Sequence, residues 1–385
     1  NPVLTKAHVT DVTATFVADP FLFHEGDMWY IFFEVLDAST NKGKIGLATS
    51  TDGLSWAYDR IVLSESFHLS YPFIFKYNSN YYMVPESGAA RQIRLYRATN
   101  FPHTWTLDSI LMSNVEVADP SIFRYKGTWW MFFSNVGSEG RGTNCYLYYS
   151  DNLTSGWTEH PMSPIVSGDW SKARPAGRPF IYDDDKIIRL AQKNDVRYGE
   201  SVRAFQVDVL TKTQYQEHEI SPSPLLTASH ANDWRKWGMH HLDPWWTGTA
   251  WLGTVDGDSP DGWAIGIYTA NEAFPMRQMT IQKSGAGQGT VTSSPPGINC
   301  GSSCSASFFQ GTKVVLTAEP KYGSAISGWT GCDSANGNTC TITLGSTNRS
   351  VTTQFSIAYK DIIVQKSGSG KGTITSDPAG IDCGL

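Results

Sequence analysis

Through about the first 275 residues, short aromatic and aliphatic runs alternate with polar turns rich in glycine, asparagine and proline, a pattern of hairpin-joined strands that leaves little room for long helices. The arrangement also repeats. Val17-Ala18-Asp19-Pro20 returns letter for letter as Val117-Ala118-Asp119-Pro120. Each copy runs into an apolar strand (Phe21-Leu22-Phe23; Ser121-Ile122-Phe123), a turn with glycine (Glu25-Gly26-Asp27; Lys126-Gly127) and a second strand (Met28 to Phe33; Thr128 to Phe133). The first unit continues to Lys44-Ile45-Gly46-Leu47-Ala48-Thr49-Ser50 and a turn with tryptophan, Asp52-Gly53-Leu54-Ser55-Trp56. Between the copies, Ser70-Tyr71-Pro72, Tyr81 to Glu86, Ile93 to Ala98 and His103-Thr104-Trp105 make a unit of the same shape. Pro20, Pro72 and Pro120 mark a period of roughly 50 residues, the length of a four-stranded propeller blade.

Two looser units follow. One has Ala173 to Tyr182, a predicted turn at Asp183-Asp184-Asp185, and Lys186 to Gln192; the other has Gly238 to Trp245, Ala250 to Gly257 and Trp263 to Tyr268. Together the units predict an all-β fold in which residues 1–278 form a five-bladed β-propeller. A β-sandwich explains the alternation but not the recurring hairpin. From residue 279 the texture turns to Gly, Ser and Thr, and Gln282-Lys283-Ser284-Gly285 returns as Gln365-Lys366-Ser367-Gly368. This predicts a β repeat module over 279–358 and the start of a second, truncated copy over 359–385.

Cysteine usage sharpens the picture. Only Cys145 falls in the propeller, while Cys300, Cys304, Cys332, Cys340 and Cys383 cluster in the tail. Local pairs Cys300/Cys304 and Cys332/Cys340 would staple a module with little core, Cys383 being left without a partner, and a secreted or cell-surface location is expected. Zinc ligation fits poorly, because the spacings match no usual ribbon or finger. A formal charge of −6 gives no footprint for nucleic acid. No run is apolar enough for a membrane span. A monomer acting on a polysaccharide or oligosaccharide is the expected form, with no cofactor, although a structural Ca2+ or other ion in the channel is compatible with the residues there.

A propeller directs the first strand of every blade toward one axis, so equivalent positions converge. The first strands contribute Asp19, Tyr71, Asp119, the Arg174/Arg178 pair and the His240/His241/Asp243 group. The second strands end in Glu34, Glu86, Ser134, Gln192 and Asp256. Glycoside cleavage needs two carboxyl groups flanking the scissile bond, and rings of Asp and Glu supply them. Asp19 is expected as base or nucleophile and Glu86 as acid, with Asp119 holding substrate or tuning the acid. The remaining candidates, as substrate contacts, are Glu34, His68, Tyr71, Arg174, Arg178, Arg189, Gln192, His240, His241 and Asp256; no metal ligand is assigned. The arginines, with Arg197, suggest clamps for an anionic glycan. His68, His240 and His241 with Tyr71 raise a polysaccharide lyase as second reading. A carbohydrate-binding propeller without catalysis is the third. Most of Trp29, Trp129, Trp130, Trp245, Trp246 and Trp251 are expected to pack between blades rather than stack on sugars.

Phe16-Val17-Ala18-Asp19-Pro20-Phe21, His68-Leu69-Ser70-Tyr71-Pro72, Met83-Val84-Pro85-Glu86-Ser87, Leu95-Tyr96-Arg97-Ala98 and Phe101-Pro102, with Ala173-Arg174-Pro175-Ala176-Gly177 and Tyr198-Gly199, resemble the N-terminal propeller domain of plant glucosamine inositolphosphorylceramide transferases and its bacterial relatives. That domain is itself similar to five-bladed glycoside hydrolases of families 43, 32 and 68, whose acids are an Asp in blade one, an Asp in blade three and a Glu. The resemblance implies a hydrolase-like site at Asp19 and Asp119. It does not place the Glu, since blade four offers arginines there; Glu34 is the substitute for Glu86. In the tail, Phe308-Phe309, Val314 to Pro320 and Gly328-Trp329-Thr330-Gly331-Cys332 resemble divergent B-type bacterial surface repeats, which implies spacers or binders.

Overall fold

The computed structural model describes residues 1–182, 186–221, 223–270, 275–359 and 362–384; the turn expected at residues 183–185 lies outside them. The chain divides into two units, Asn1–Arg277 with the short segments Phe308–Thr312 and Leu344–Ser346, and the remainder from Gln278 onward.

The first unit holds five antiparallel sheets in chain order. Blade one is β1 (Ala14–Glu25), β2 (Met28–Asp37), β3 (Lys42–Ser50) and β4 (Ala57–Leu63). Blade two is β5 (Ser70–Tyr77), β6 (Asn80–Glu86), β7 (Gln92–Asn100) and β8 (Thr104–Ser113). Blade three is β9 (Ala118–Tyr125), β10 (Thr128–Ser134), β11 (Cys145–Ser150) and β12 (Thr158–Glu159). Blade four is β13 (Phe180–Tyr182), β14 (Lys186–Lys193), β15 (Ser201–Leu210) and β16 (Tyr215–Glu219), with β17 (Leu226–Thr227) also on β15. Blade five is β18 (Leu242–Trp246), β19 (Trp251–Gly257) and β20 (Ala264–Ala270). Its outer edge is completed by the N-terminus: Val3 donates to Ile265 O at 2.8 Å and Ile265 donates to Leu4 O at 2.9 Å. That bond pair joins the first residues to the last blade and closes the ring, which removes one exposed sheet edge.

The blades pack through aromatic rings. Phe21, Phe32, Phe73, Met83, Met131 and Phe133 belong to one buried cluster spanning blades one to three. Tyr81 and Phe101 stack at 3.9 Å, and Trp105, whose ring N–H donates to Pro102 O, packs edge-on to Phe32. Trp129 and Trp130 are buried as expected, whereas Trp246 is 46% exposed and belongs to the surface. The turn tryptophans are tied down alike: Trp56 and Trp157 donate to Gly53 O and Leu153 O.

From Gln278 onward the described residues add strands of two four-stranded sheets, and one pairs Met279–Ser284 in parallel with Arg349–Gln354. Cys300–Cys304 and Cys332–Cys340 are disulfide-bonded, as expected, and Cys145 and Cys383 are free. In the second repeat copy the described residues form only the small ladder Ile374–Thr375/Asp382–Cys383.

Candidate active site

The inner strands do not run straight into the axis. Register shifts fall between Ala18 and Phe21 in β1, between Ser70 and Phe73 in β5, and between Ala118 and Ser121 opposite Phe132/Ser134 of β10. At each bulge the residue before proline is left-handed: Asp19 at φ 52°, Tyr71 at 48°, Asp119 at 52°. Non-glycine residues in that region are strained, and bulges re-aim side chains; three coincident cases mark a position the fold enforces. Tyr71 thus occupies in blade two the place of the two aspartates.

The strain is held by carboxylates from neighbouring blades. Asp119 N donates to Glu86 Oε2 at 3.0 Å, and Asp19 N donates to Asp256 Oδ2 at 3.1 Å. Both acceptors lie at the C-terminal end of second strands, Glu86 as the last residue of β6 and Asp256 as the last but one of β19, so this position serves as a clasp between blades two and three and between five and one.

Asp119 is fully buried. Its carboxylate accepts from Arg174 Nε, from Arg174 Nη2 at 3.1 Å and from Gln192 Nε2 at 2.8 Å. The Arg174 guanidinium also reaches Gly140 O, and its Nη2 lies 3.5 Å from Glu86 Oε2. Every face of Arg174 is therefore taken by the protein. Glu86 is the more open carboxyl of this group, with 16% of its side chain exposed. Burial, reinforced by the Asp119 charge and only partly opposed by Arg174, pushes its pKa up to about 8. At neutral pH it holds a proton.

On the other side, Asp19 faces His240 Nε2 at 3.6 Å, and His240 Nδ1 is bonded to Asp256, 2.9 Å to Oδ1. Burial raises the Asp19 pKa, the His240 cation opposes this, and the charges of Asp119, Glu34 and Asp256 add to it. Although burial disfavours the charged His240, Asp256 and Asp19 outweigh it and bring its pKa to about 9. The Trp263 ring stacks on His240 at 4.1 Å. The three groups offer oxygen and nitrogen atoms within 4.8 Å of one another, a spacing a metal ion could use. The donor set does not fit one well. Asp256 already accepts from the backbone N–H of Asp19, His240 and His241 and from the His240 ring, which exhausts its lone pairs. His240 is hydrogen-bonded to Asp256 and charge-paired with Asp19, and no step is assigned to an ion there.

Glu34 lies beside this group: His68 Nδ1 accepts from Gly43 N, and Nε2 lies 3.2 Å from Glu34 Oε1. Burial works against the charged imidazole, but the Glu34 bond prevails and raises the His68 pKa. Asp19, Glu34, His68, Glu86, Asp119, Arg174, Gln192 and His240 thus form one cluster of hydrogen bonds and charge interactions.

Five expected contacts do not belong to it as substrate groups. Arg189 is sealed from solvent and doubly bonded to Glu217 at 2.7 Å, with Lys172 O as third partner. Arg178 spans Asp243, Ile74 O and Leu22 O. Tyr71 is fully buried, its hydroxyl engaged by Ser121 and by both backbone groups of Gly177. His241 is fully buried between Phe21 and Tyr71, and burial lowers its pKa to about 4. Asp256 is the saturated clasp already described. Arg197 pairs with Asp258. The arginine clamp for an anionic glycan therefore loses its physical basis at Arg174, Arg178 and Arg189, which are spent on carboxylates; Arg197 remains half exposed. Tyr198 and Asn194 also reach the cluster although they lie in the turn between β14 and β15, outside the repeated strands, and Trp263 reaches it from the residue before β20.

The fold and the convergent carboxylates define a five-bladed propeller with an acid-rich axial site. Residues 1–258 match the family model described as glucosamine inositolphosphorylceramide transferase 1, N-terminal, and residues 279–358 match the divergent InlB B-repeat domain. The chain belongs to the first of these families. Glucosamine inositolphosphorylceramide transferase 1 of Oryza sativa subsp. japonica is 38% identical over 265 residues, which is 67% of this chain and 35% of the rice protein. The Arabidopsis thaliana protein of that name is 37% identical over the same length, 67% of this chain and 34% of its own. The chain thus spans about a third of the length of the curated relatives it matches. Among solved structures, an alpha-L-arabinofuranosidase of Podospora anserina in complex with cellotriose aligns with TM-score 0.56 at 13% identity, over 71% of this chain and 96% of that one. The catalytic domain of a family 62 alpha-L-arabinofuranosidase of Coprinopsis cinerea aligns with TM-score 0.54 at 14% identity, over 70% and 95%. At such identities the likeness is one of fold.

Proposed function

We propose that the propeller is a glycoside hydrolase in which Glu86 is the general acid and Asp19 the base. The observation that carries this is Glu86: a carboxyl at the axial site, partly open to solvent, whose pKa is pushed up to about 8. A group that holds its proton at neutral pH and can release it to a leaving-group oxygen is what glycosidic cleavage requires of its acid. Asp119, pinned by Arg174 and Gln192, supplies the fixed negative charge that keeps that proton on Glu86. Asp19, across the site, has a pKa raised by burial and lies beside the His240 cation, so it suits a base that takes a proton from water.

The acid-rich site, whose arginines Arg174, Arg178 and Arg189 are already taken by carboxylates, favours a neutral or amino sugar over a uronate. The lyase reading is weakened in the same way, since Tyr71 and His241 are sealed inside the propeller. The transferase in the relatives' name belongs to proteins of which the matched segment is 35%, so that name by itself does not assign the activity to this propeller. Secretion is part of the proposal; the two disulfides favour an oxidising compartment.

The test is a screen of the full chain against neutral, glucosamine-containing and uronate-containing glycans, reading new reducing ends and the ultraviolet absorbance of unsaturated uronates. Reducing ends alone, lost in Asp19→Asn and in Glu86→Gln, are the expected result. Unsaturated products would establish a lyase, and binding without any product would establish a lectin.

A further inference from the structure

Tyr198 borders the cluster, and its hydroxyl is a donor that the described residues leave unspent. Its ring is held on three sides: the Arg174 guanidinium lies over it at 5.4 Å, the His240 ring meets it edge-on at 5.4 Å, and Trp263 lies at 6.4 Å. Asp119, Asp19 and Glu86 are all close enough to act on its charge. Burial first, then these carboxylates against the opposing Arg174, raise its pKa well above that of a free phenol, so it remains a neutral donor. The hydroxyl nevertheless has no hydrogen-bond partner among the described residues, and it is not one of the buried polar atoms sealed from solvent. Arg174, Gln192, His240 and Asp256, by contrast, all have theirs within the protein.

The loop that carries it is built to hold that position. Gln192, which grips Asp119, accepts at Oε1 from Asn194 Nδ2 at 3.2 Å; the same amide donates to Arg141 O at 2.9 Å; and Asn194 Oδ1 accepts from Gly199 N at 2.7 Å. Asn194 is fully buried. Gly199 sits at φ 68°, where a Cβ would come within 2.9 Å of both His240 Cβ and the Trp263 ring. An unbroken chain of side chains therefore runs from Asp119 to the residue after Tyr198, and only glycine lets the turn close onto His240 and Trp263.

We infer that Tyr198 is a substrate-contacting residue, its phenol donating a hydrogen bond to a hydroxyl or ring oxygen of the sugar seated between Asp19 and Glu86. This rests on the hydrolase reading above and names the group that orients its substrate. A rigid, neutral donor beside two reacting carboxyls fixes the sugar without adding charge, and such groups are held in place by a supporting shell of the kind Asn194 provides.

The test is Tyr198→Phe, which keeps the ring and its contacts, measured with the wild type on the glycan that the screen shows to be cleaved. A thermal melt is recorded alongside. The expected result is a fall of roughly 10- to 100-fold in kcat/KM, with an unchanged melt and an unchanged pH profile, as loss of one hydrogen bond to substrate predicts. A melt lowered by Tyr198→Phe, or kcat/KM within twofold of wild type, overturns the inference and leaves the hydrolase reading standing. A wild-type chain that cleaves no glycan in the screen overturns both.

Discussion

Tyr71→Phe removes one oxygen atom from the centre of the propeller, and the structure sets the cost. The hydroxyl lies 2.8 Å from Ser121 Oγ, donates to Gly177 O at 3.0 Å and accepts from Gly177 N at 2.8 Å. Its ring meets Phe21 at 4.8 Å and His241 at 5.3 Å, both edge-on, and phenylalanine preserves these contacts. The change is confined to hydrogen bonds. Gly177 O keeps a long bond from Ser121 Oγ at 3.5 Å, but Gly177 N–H loses its acceptor in a site closed to water. One orphaned buried donor and one lost bond amount to roughly 2–4 kcal/mol. In a unit of this size each kcal/mol moves Tm by roughly 2–4 °C, so a drop of roughly 5–15 °C is expected. Urea unfolding followed by tryptophan fluorescence should show a lower midpoint at an unchanged m-value. Cleavage of glycan below the melt should survive, because the hydroxyl addresses backbone and not substrate. A loss under roughly 0.5 kcal/mol would refute the reasoning, as surface substitutions give no more than that. So would abolished turnover in a fully stable protein, which would return Tyr71 to the chemistry.

Glu86 gives a prediction in pH. Its folded pKa of about 8 stands above the ordinary 4.5, so the folded state binds the extra proton and stability should fall as pH rises from 4.5 toward about 8. Glu86→Gln should flatten that decline in urea midpoints measured across the range, and glycan cleavage by the wild type should be lost on an alkaline limb near pH 8; an unchanged slope in the variant would count against a buried, protonated Glu86. In the repeat module, Cys300–Cys304 and Cys332–Cys340 close loops of four and eight residues, each worth about 2 kcal/mol by loop entropy. Reduction should lower a melting transition of the full chain while leaving the rate of glycan cleavage unchanged, and a rate that fell with reductant would show that the propeller depends on the module.

How much of this was legible follows from what repeats. Asp19-Pro20 and Asp119-Pro120 are readable because a bulge that recurs in blades one to three selects the same residues twice, and Tyr71-Pro72 falls in register between them. Glu86 and Asp256, near the ends of β6 and β19, were placed at the axis by the same logic. The uses of the arginines were not legible. Arg189 meets Glu217 and Arg178 meets Asp243, 28 and 65 residues away, and a lone sequence gives a residue's place on a strand but not its partner on another. Ring closure was hidden for a related reason. Val3 and Leu4 belong to no repeat, and their pairing with Ile265 depends on where the last blade comes to rest. Tyr198 and Asn194 lie in a connecting turn, where neither period nor repetition points to them.

The clasps show how one position in a repeat divides between structure and reactivity. Glu86 and Asp256 occupy the same register, each reaching across to the backbone N–H of the next bulged aspartate. Asp256 accepts three backbone N–H groups and the His240 ring; although burial opposes it, the His240 charge and these bonds hold its pKa low. Glu86 accepts the Asp119 N–H and a long contact from Arg174, too little to offset burial beside a second carboxylate, so it keeps its proton. The count of donors, and not the residue type or the strand, separates the locked member from the one able to give up a proton. The same count explains why Asp119, at a bulge equivalent to that of Asp19, is the fixed charge of the site. Arg174 and Gln192 occupy its oxygens, whereas Asp19 makes no side-chain hydrogen bond to the described residues and stays available to water or substrate.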